Sequence, residues 1–176
     1  MELGVLHFIQ SLRSDQVDQL MLFISSLGNF GAIWIALAAL LLILTGFRRS
    51  GLAVSFALAI DFIVVNLILK PLVGRERPCD IHVPEDMLLA CLSDHSFPSG
   101  HTAAAFAAAV ALILCHKKAG LFALILAFMM GFSRLYLFVH YPSDVIAGAL
   151  LGTLFGLIGF QLAYRKKKWL PKHKEP

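Results

Sequence analysis

Five apolar runs, at about 31–47, 50–69, 100–115, 119–138 and 143–164, constrain this chain more than any other feature. About 20 apolar residues in a helix cross the roughly 30 Å hydrocarbon core of a bilayer, and some of these runs are shorter than that. With 59% hydrophobic residues in 176 and a mean hydropathy of +0.79, the chain is too apolar for a soluble domain of its size. The expected fold class is all-α: a polytopic integral membrane helical bundle with five spanning helices. Residues 1–30 differ. Val5, Leu6, Phe8, Ile9 and Leu12 recur at helical spacing among Gln10, Ser11 and Arg13, and Asp15 and Asp18 follow. This pattern predicts an amphipathic helix lying at the interface and breaking near Gly28–Asn29. The organisation expected is thus 1–30 interfacial, 31–164 a membrane domain and 165–176 a basic tail. The opening Met1-Glu2-Leu3-Gly4 lacks the charged region and apolar run of a removed signal peptide.

The net charge of +4 invites a nucleic-acid reading, but the positions of the charges oppose it. Of fifteen Lys and Arg, ten fall at Arg48-Arg49, Lys117-Lys118 and between Arg165 and Lys174. Each cluster follows or separates apolar runs, the positive-inside pattern of cytoplasmic loops. The C-terminus is then cytoplasmic, and the 70–99 loop and the 138–143 junction share the opposite, extracytoplasmic side. That side receives Lys70, Arg75, Arg77 and Arg134.

Three groups of residues gather there. Lys70 and Arg77 lie seven apart, with Pro71 and Pro78 stiffening the exit from a helix. Phe97-Pro98-Ser99-Gly100-His101-Thr102 opens an Ala-rich helix, with Ser99 a natural N-cap. Gly100 there allows close backbone approach, and free N–H groups make an anion site. Ser133 to Asp144 carries Arg134, which is costly beside a membrane unless an anion offsets it. His140 and Asp144, four apart, let a carboxylate hold one imidazole nitrogen and leave the other to react. Headgroup anchoring, helix capping and a capped helix junction are the plainer readings of the three groups taken singly. Together they supply three permanent cations, a helix N-terminus, two histidines and an orienting aspartate, which suits phosphoryl transfer.

Lys-x6-Arg-Pro, Pro-Ser-Gly-His and Ser-Arg-x5-His-x3-Asp, in that order from Lys70 to Asp144, resemble the signature motifs of the type 2 phosphatidic acid phosphatase (PAP2) superfamily. The resemblance implies catalytic roles for His140 as nucleophile, Asp144 as its orienter and His101 as proton donor. It implies phosphate binding by Lys70, Arg77, Ser99, Gly100 and Arg134, with no metal and no cofactor. It also implies a phosphohistidine intermediate in an enzyme of the bacterial plasma membrane. Vanadium haloperoxidases share the motifs but are soluble, which five apolar runs oppose. Members are often described with six spanning helices, and this chain is expected to begin at the interfacial segment. The substrate expected is a lipid phosphate or diphosphate, undecaprenyl diphosphate first and phosphatidylglycerophosphate or phosphatidic acid second. Membrane lipids are the surroundings, with no nucleic acid and no obligatory protein partner. A lipid or anion transporter is the alternative from another class, opposed by the absence of an inverted repeat or broken-helix pair.

The remaining polar residues draw plainer expectations. Asp61, inside an apolar run, is expected to be hydrogen-bonded or paired to a neighbouring helix. Asn66 is placed to steady Lys70. Cys79 and Cys91 share the outer loop and are either bridged or free, since sequence does not set their separation. Cys115 is expected to be packing. Asp80, His82, Asp94 and His95 match no metal-ligand spacing and are expected to stay solvated. Glu76, Glu85 and Asp86 are placed to discriminate among headgroups. Gly148, Gly152 and Gly156 form a small-residue stripe, expected to pack within the monomer.

Overall fold

The computed structural model describes residues 1–82 and 87–165. The expectations for Glu85, for Asp86 and for all of the basic tail except Arg165 lie outside the described residues. Among those described, all the regular structure is helical, without strands. Two short helices, α1 (Glu2–Gln10) and α2 (Asp15–Leu27), precede α3 (Ala32–Ile43). α4 (Arg48–Asp61) continues through a π-helical segment (Phe62–Leu69) into α5 (Lys70–Val73), and α6 (Pro78–Ile81) follows. α7 (Gly100–Cys115), α8 (Lys117–Tyr136) and α9 (Pro142–Tyr164) complete the bundle.

Local chemistry accounts for the breaks. α2 stops at Gly28, and Phe30 (φ 55°) and Gly31 (φ 68°) then adopt left-handed backbone, so that α2 and α3 meet at a 48° bend. Gly74 (φ 62°) ends α5 in the left-handed conformation that favours glycine. Pro142 starts α9, and the Asp144 carboxylate reaches back to accept from Tyr141 N at 2.8 Å.

Helices occupy all five expected apolar runs. Among the described residues, three stretches are long and apolar enough to cross a membrane: Thr45–Ile81, Lys117–Tyr136 and Pro142–Tyr164. α7 has 16 residues, and the 12-residue α3 reaches spanning character only together with α2 across the bend. Leu40, Phe62, Phe122, Phe128 and Leu150 face outward, the surface a lipid solvent demands. The chain is an integral membrane protein.

The N-terminal region is tied to the bundle rather than lying apart from it. Leu6 and Ile9 are buried, and Gln10 Nε2 donates to Tyr136 O at 2.5 Å. Tyr136 Oη donates to Asp18 Oδ1 at 2.5 Å.

α7 is the centre of the bundle, in contact with α4, α8 and α9. Its run from Ala103 to Ala109 is buried throughout, and small side chains let the neighbouring helices approach closely. The glycine stripe of α9 packs on it within the monomer. Gly148 faces Ser99 O, Gly152 faces Ala103 O and Gly156 faces Ala107 O, a register repeating every four residues on both helices. Gly159, lower on α9, packs against Ala53 and Ala57 of α4. The ends of α5, α7 and α8 and the start of α9 therefore converge at one end of the bundle, where Lys70, His101, Arg134 and His140 stand.

Candidate active site

A cavity of about 860 Å³ opens at that end. Its polar wall includes Lys70, Arg77, Asp94, His101 and His140. Its apolar wall comes from α3 and α4, through Ile35, Ala38, Leu42 and Leu58, with Phe62 beyond them. Five of the eight expected site residues line it: Lys70, Arg77, Gly100, His101 and His140. Ser99, Arg134 and Asp144 are fully buried behind them.

His140 sits in the short turn between α8 and α9, preceded by Phe138 in left-handed backbone at φ 60°. A non-glycine residue there is strained, and packing holds it: Phe138 is 2% exposed, with its ring 5.6 Å from that of His7. Arg77 fixes the turn from the cavity side. Its Nη1 donates to Val139 O at 2.7 Å and lies 3.1 Å from His140 Nε2. A guanidinium only donates, so Nε2 presents a lone pair and the ring proton belongs to Nδ1. Burial lowers the pKa of His140 to about 3, outweighing the opposing contact with Asp144, so the ring is neutral.

Asp144 lies beneath the ring, with Oδ2 at 3.5 Å from His140 Nδ1, longer than a good hydrogen bond. Catalytic contacts are often this loose without substrate. The carboxylate has other partners. Ser96 Oγ donates to Oδ2, and Arg75 Nη1 donates to Oδ1 at 2.7 Å. Arg75 Nη2 also donates to Glu2 Oε2 at 2.7 Å, while its guanidinium lies 4.0 Å over the Tyr141 ring. Glu2 in turn accepts from Ser143 N at 2.9 Å, which clasps α1 onto the start of α9.

The α7 N-terminus supplies the opposite wall. Ser99 N donates to Asp144 O at 3.1 Å, joining α7 to α9, and Ser99 Oγ lies 3.0 Å from Thr102 Oγ1. Gly100 faces Asn66 and Lys70: a Cβ there would stand 3.3 Å from Asn66 Oδ1 and 3.9 Å from Lys70 Nζ. His101 Nε2 lies 3.2 Å from Asn29 Oδ1, an acceptor, so His101 is the donor. Arg134 donates Nη1 to Ser25 Oγ, and its Nε and Nη2 are buried without a partner among the described residues. Buried, unsatisfied guanidinium donors suit an anion.

Two plain expectations need correction. Asp94 does not stay solvated apart from the site: it is bonded to both Lys70 and Arg77. Asp61 is buried, yet its Oδ1 has no partner among the described residues, and it lines the cavity instead of pairing across helices. Asp80 is exposed, as expected, and lies in the first turn of α6, where it accepts weakly from Arg77 N at 3.3 Å. The open question of Cys79 and Cys91 is answered by a disulfide with Cα atoms 5.9 Å apart. Arg75, Ser96 and Glu2 carried no expectation. One signal could have found Arg75: a buried carboxylate such as Asp144 needs a cation, and Arg75 lies between Lys70 and Arg77.

The arrangement is a neutral imidazole whose Nε2 lone pair accepts from Arg77 Nη1, held between a carboxylate below and fixed cations above. Comparison with known proteins gives the same direction. The undecaprenyl-diphosphatase of Sulfolobus acidocaldarius is 36% identical over 149 residues, covering 83% of this chain and 70% of that protein. The crystal structure of Aquifex aeolicus LpxE superposes with a TM-score of 0.76 at 28% identity, covering 91% of this chain and 94% of that one. A PAP2-type phosphatidylglycerolphosphate phosphatase of Bacillus subtilis gives 0.74 at 26%, covering 95% and 86%. The profile of the PAP2 superfamily matches residues 50–168, the stretch that holds all three motifs and every cavity wall except α3 and the Gly28–Gly31 bend before it, and by that match the chain belongs to the PAP2 superfamily.

Proposed function

We propose that this membrane lipid phosphatase acts on a polyprenyl diphosphate, undecaprenyl diphosphate first, through a phosphohistidine on His140. The observation that carries the reading is the division of the cavity. Its cations and histidines stand at one end, and an apolar wall from α3 and α4 runs away from them, as a phosphate on a long hydrocarbon tail requires. Lys70, Arg77, the α7 N-terminus at Ser99–Gly100 and the free donors of Arg134 bind the phosphate oxygens.

The His140 Nε2 lone pair attacks phosphorus in line, and the bond from phosphorus to the bridging oxygen breaks. His101, protonated beside the bound phosphate, gives that oxygen its proton. Water then attacks phosphorus, passing a proton to His101; the phosphorus–nitrogen bond breaks, and inorganic phosphate leaves with the imidazole restored. Asp144 keeps the Nδ1 proton in place and offsets the positive charge on the ring. The groups that do this chemistry all belong to the chain.

The site faces the extracytoplasmic side in this reading. The basic clusters support it, and so does the Cys79–Cys91 disulfide beside the site, which suits an oxidising compartment. Phosphatidylglycerophosphate is the second reading, favoured by the structural likeness to the B. subtilis enzyme.

The test is inorganic phosphate release by the purified protein in detergent with EDTA. The panel is undecaprenyl diphosphate, phosphatidylglycerophosphate and phosphatidic acid, with His140→Ala alongside. The expected result is strong turnover of the diphosphate and a loss on the order of 10⁴-fold or more in the variant. Equal activity in both proteins would remove His140 from its role, and preference for another lipid would replace the substrate.

A further inference from the structure

The loop leading into α7 brings Asp94 onto the cation pair. Its Oδ1 accepts from Arg77 Nη2 at 2.6 Å and its Oδ2 accepts from Lys70 Nζ, so one carboxylate spans both cations. Its backbone oxygen accepts from Arg77 Nε at 2.8 Å. The Lys70 and Arg77 side chains are 9% and 1% exposed, whereas that of Asp94 is 48% exposed. The cations are therefore fixed in the wall, and the carboxylate reaches them from the open side. A carboxylate offers two donors the same pair of acceptor oxygens that a phosphate does, and both anions cannot occupy the place together.

We propose that Asp94 is a specificity-determining residue: its carboxylate occupies the Lys70–Arg77 anion position, yields to a terminal phosphate, and keeps singly charged phosphodiester headgroups out. This rests on the phosphatase reading of the same site. A membrane enzyme works among many headgroups that are anionic phosphodiesters, each with one charge and two free oxygens. A terminal phosphate carries about −1.5 to −2 at neutral pH and three acceptor oxygens. Against a resident carboxylate of equal charge, the diester gains little. The terminal phosphate gains added charge and a third oxygen, for which the unpartnered Nε and Nη2 of Arg134 are available.

Two further features fit this role. Asp94 lies three residues after Cys91, whose disulfide partner Cys79 lies two residues after Arg77, so a displaced carboxylate stays tethered at the mouth and competes intramolecularly. Partial burial raises its pKa, but hydrogen bonds and charge from Lys70 and Arg77 bring it to about 2, so the competitor is always ionised at neutral pH.

The experiment is calorimetric titration of the purified protein in detergent with inorganic phosphate and with dimethyl phosphate, for wild type, Asp94→Asn and Asp94→Glu. Wild type and Asp94→Glu should bind phosphate and reject the diester. Asp94→Asn should bind phosphate about tenfold or more tightly, since the cost of displacement is gone, and should accept dimethyl phosphate. Phosphatidylglycerol in mixed micelles should then inhibit lipid hydrolysis by Asp94→Asn and not by wild type. Unchanged or weaker phosphate binding in Asp94→Asn would overturn the proposal, because Asp94 would then be holding the cations in place. If Asp94→Asn does not fold, wild type decides: dimethyl phosphate binding within tenfold of phosphate overturns the proposal. Loss of the phosphatase reading looks different: wild type hydrolyses no lipid phosphate, whatever the titrations give.

Discussion

Substituting Gly148 by alanine separates the placement of the site from the stability of the bundle. A Cβ at Gly148 would lie 2.6 Å from Ser99 O and 3.2 Å from Thr102 Cβ, whereas ordinary contacts begin at 3.4 Å. Ser99 O is backbone and cannot swing aside, so α7 and α9 must part by about 0.8 Å at that level. α9 carries Asp144 and the turn with His140, and α7 carries Gly100 and His101, so parting opens the site along its reacting axis. Overpacking of this kind costs about 1–3 kcal/mol of stability. A displacement near 1 Å between reacting groups costs on the order of 10²-fold in rate. Gly159→Ala is the control: its Cβ would meet Ala53 O at 2.5 Å and Ala57 N at 2.7 Å, at the far end of the same helix. Both variants should melt lower in one detergent, but only Gly148→Ala should lose kcat for phosphate release by about 10²-fold. Full kcat in Gly148→Ala, or an equal loss in both, would refute the argument that backbone contact at Ser99 sets the geometry.

Three further outcomes follow from the site. Asp144→Asn should lower kcat by on the order of 10²–10⁴-fold with little change in KM, because the imidazole loses the group that holds its Nδ1 proton; steady-state kinetics on one lipid phosphate check it. Arg75→Gln removes the 2.7 Å contact with Asp144 Oδ1 and should lower kcat about tenfold, with partial recovery in Arg75→Lys; equal kcat in all three proteins would make Arg75 a surface residue. Partial burial raises the Asp94 pKa, but its two cations bring it below the ordinary 3.8 to about 2, so its pairing adds stability that is whole above 3.8 and lost as pH falls through 2. The melting difference between wild type and Asp94→Asn should therefore hold between about pH 7 and pH 5 and shrink below about pH 4, and shrinkage already between pH 7 and pH 5 would assign the pairing to another group.

The residues legible in the sequence were those whose roles are local. Lys70 lies in the last turn of a helix that Gly74 ends, Ser99 and Gly100 begin one, and His140 and Asp144 flank a proline that starts another, so spacing alone brings each group near a helix end. The positive clusters then put those ends on one side. What spacing could not give is whatever crosses from one loop to another. Asp94 looked like an ordinary loop acid because its partners, Lys70 and Arg77, are 24 and 17 residues away and meet it only after the Cys79–Cys91 loop closes. Ser96 reaches Asp144 across 48 residues, and Glu2 reaches Arg75 across 73. Asp61 was misread for a related reason. An expectation of pairing assumes a packed neighbour, and the neighbour there is the cavity. Residues 1–30 were expected as one interfacial amphipathic helix and form two, α1 and α2, and an apolar face suits a bilayer surface and a protein surface equally. Contacts such as Gln10 with Tyr136 show the protein surface beneath it.

The apolar wall contributed by α3 and α4 changes what substrate concentration means for this enzyme. Ile35, Ala38, Leu42 and Leu58 line the cavity from helices that also carry outward-facing apolar residues such as Leu40 and Phe56, so a tailed substrate can remain in the bilayer while its headgroup is held. The encounter is a search in two dimensions, governed by the number of substrate molecules per lipid and not per litre. KM is then a mole fraction. Adding detergent at constant bulk substrate dilutes the surface and slows the reaction, although nothing in the aqueous solution has changed.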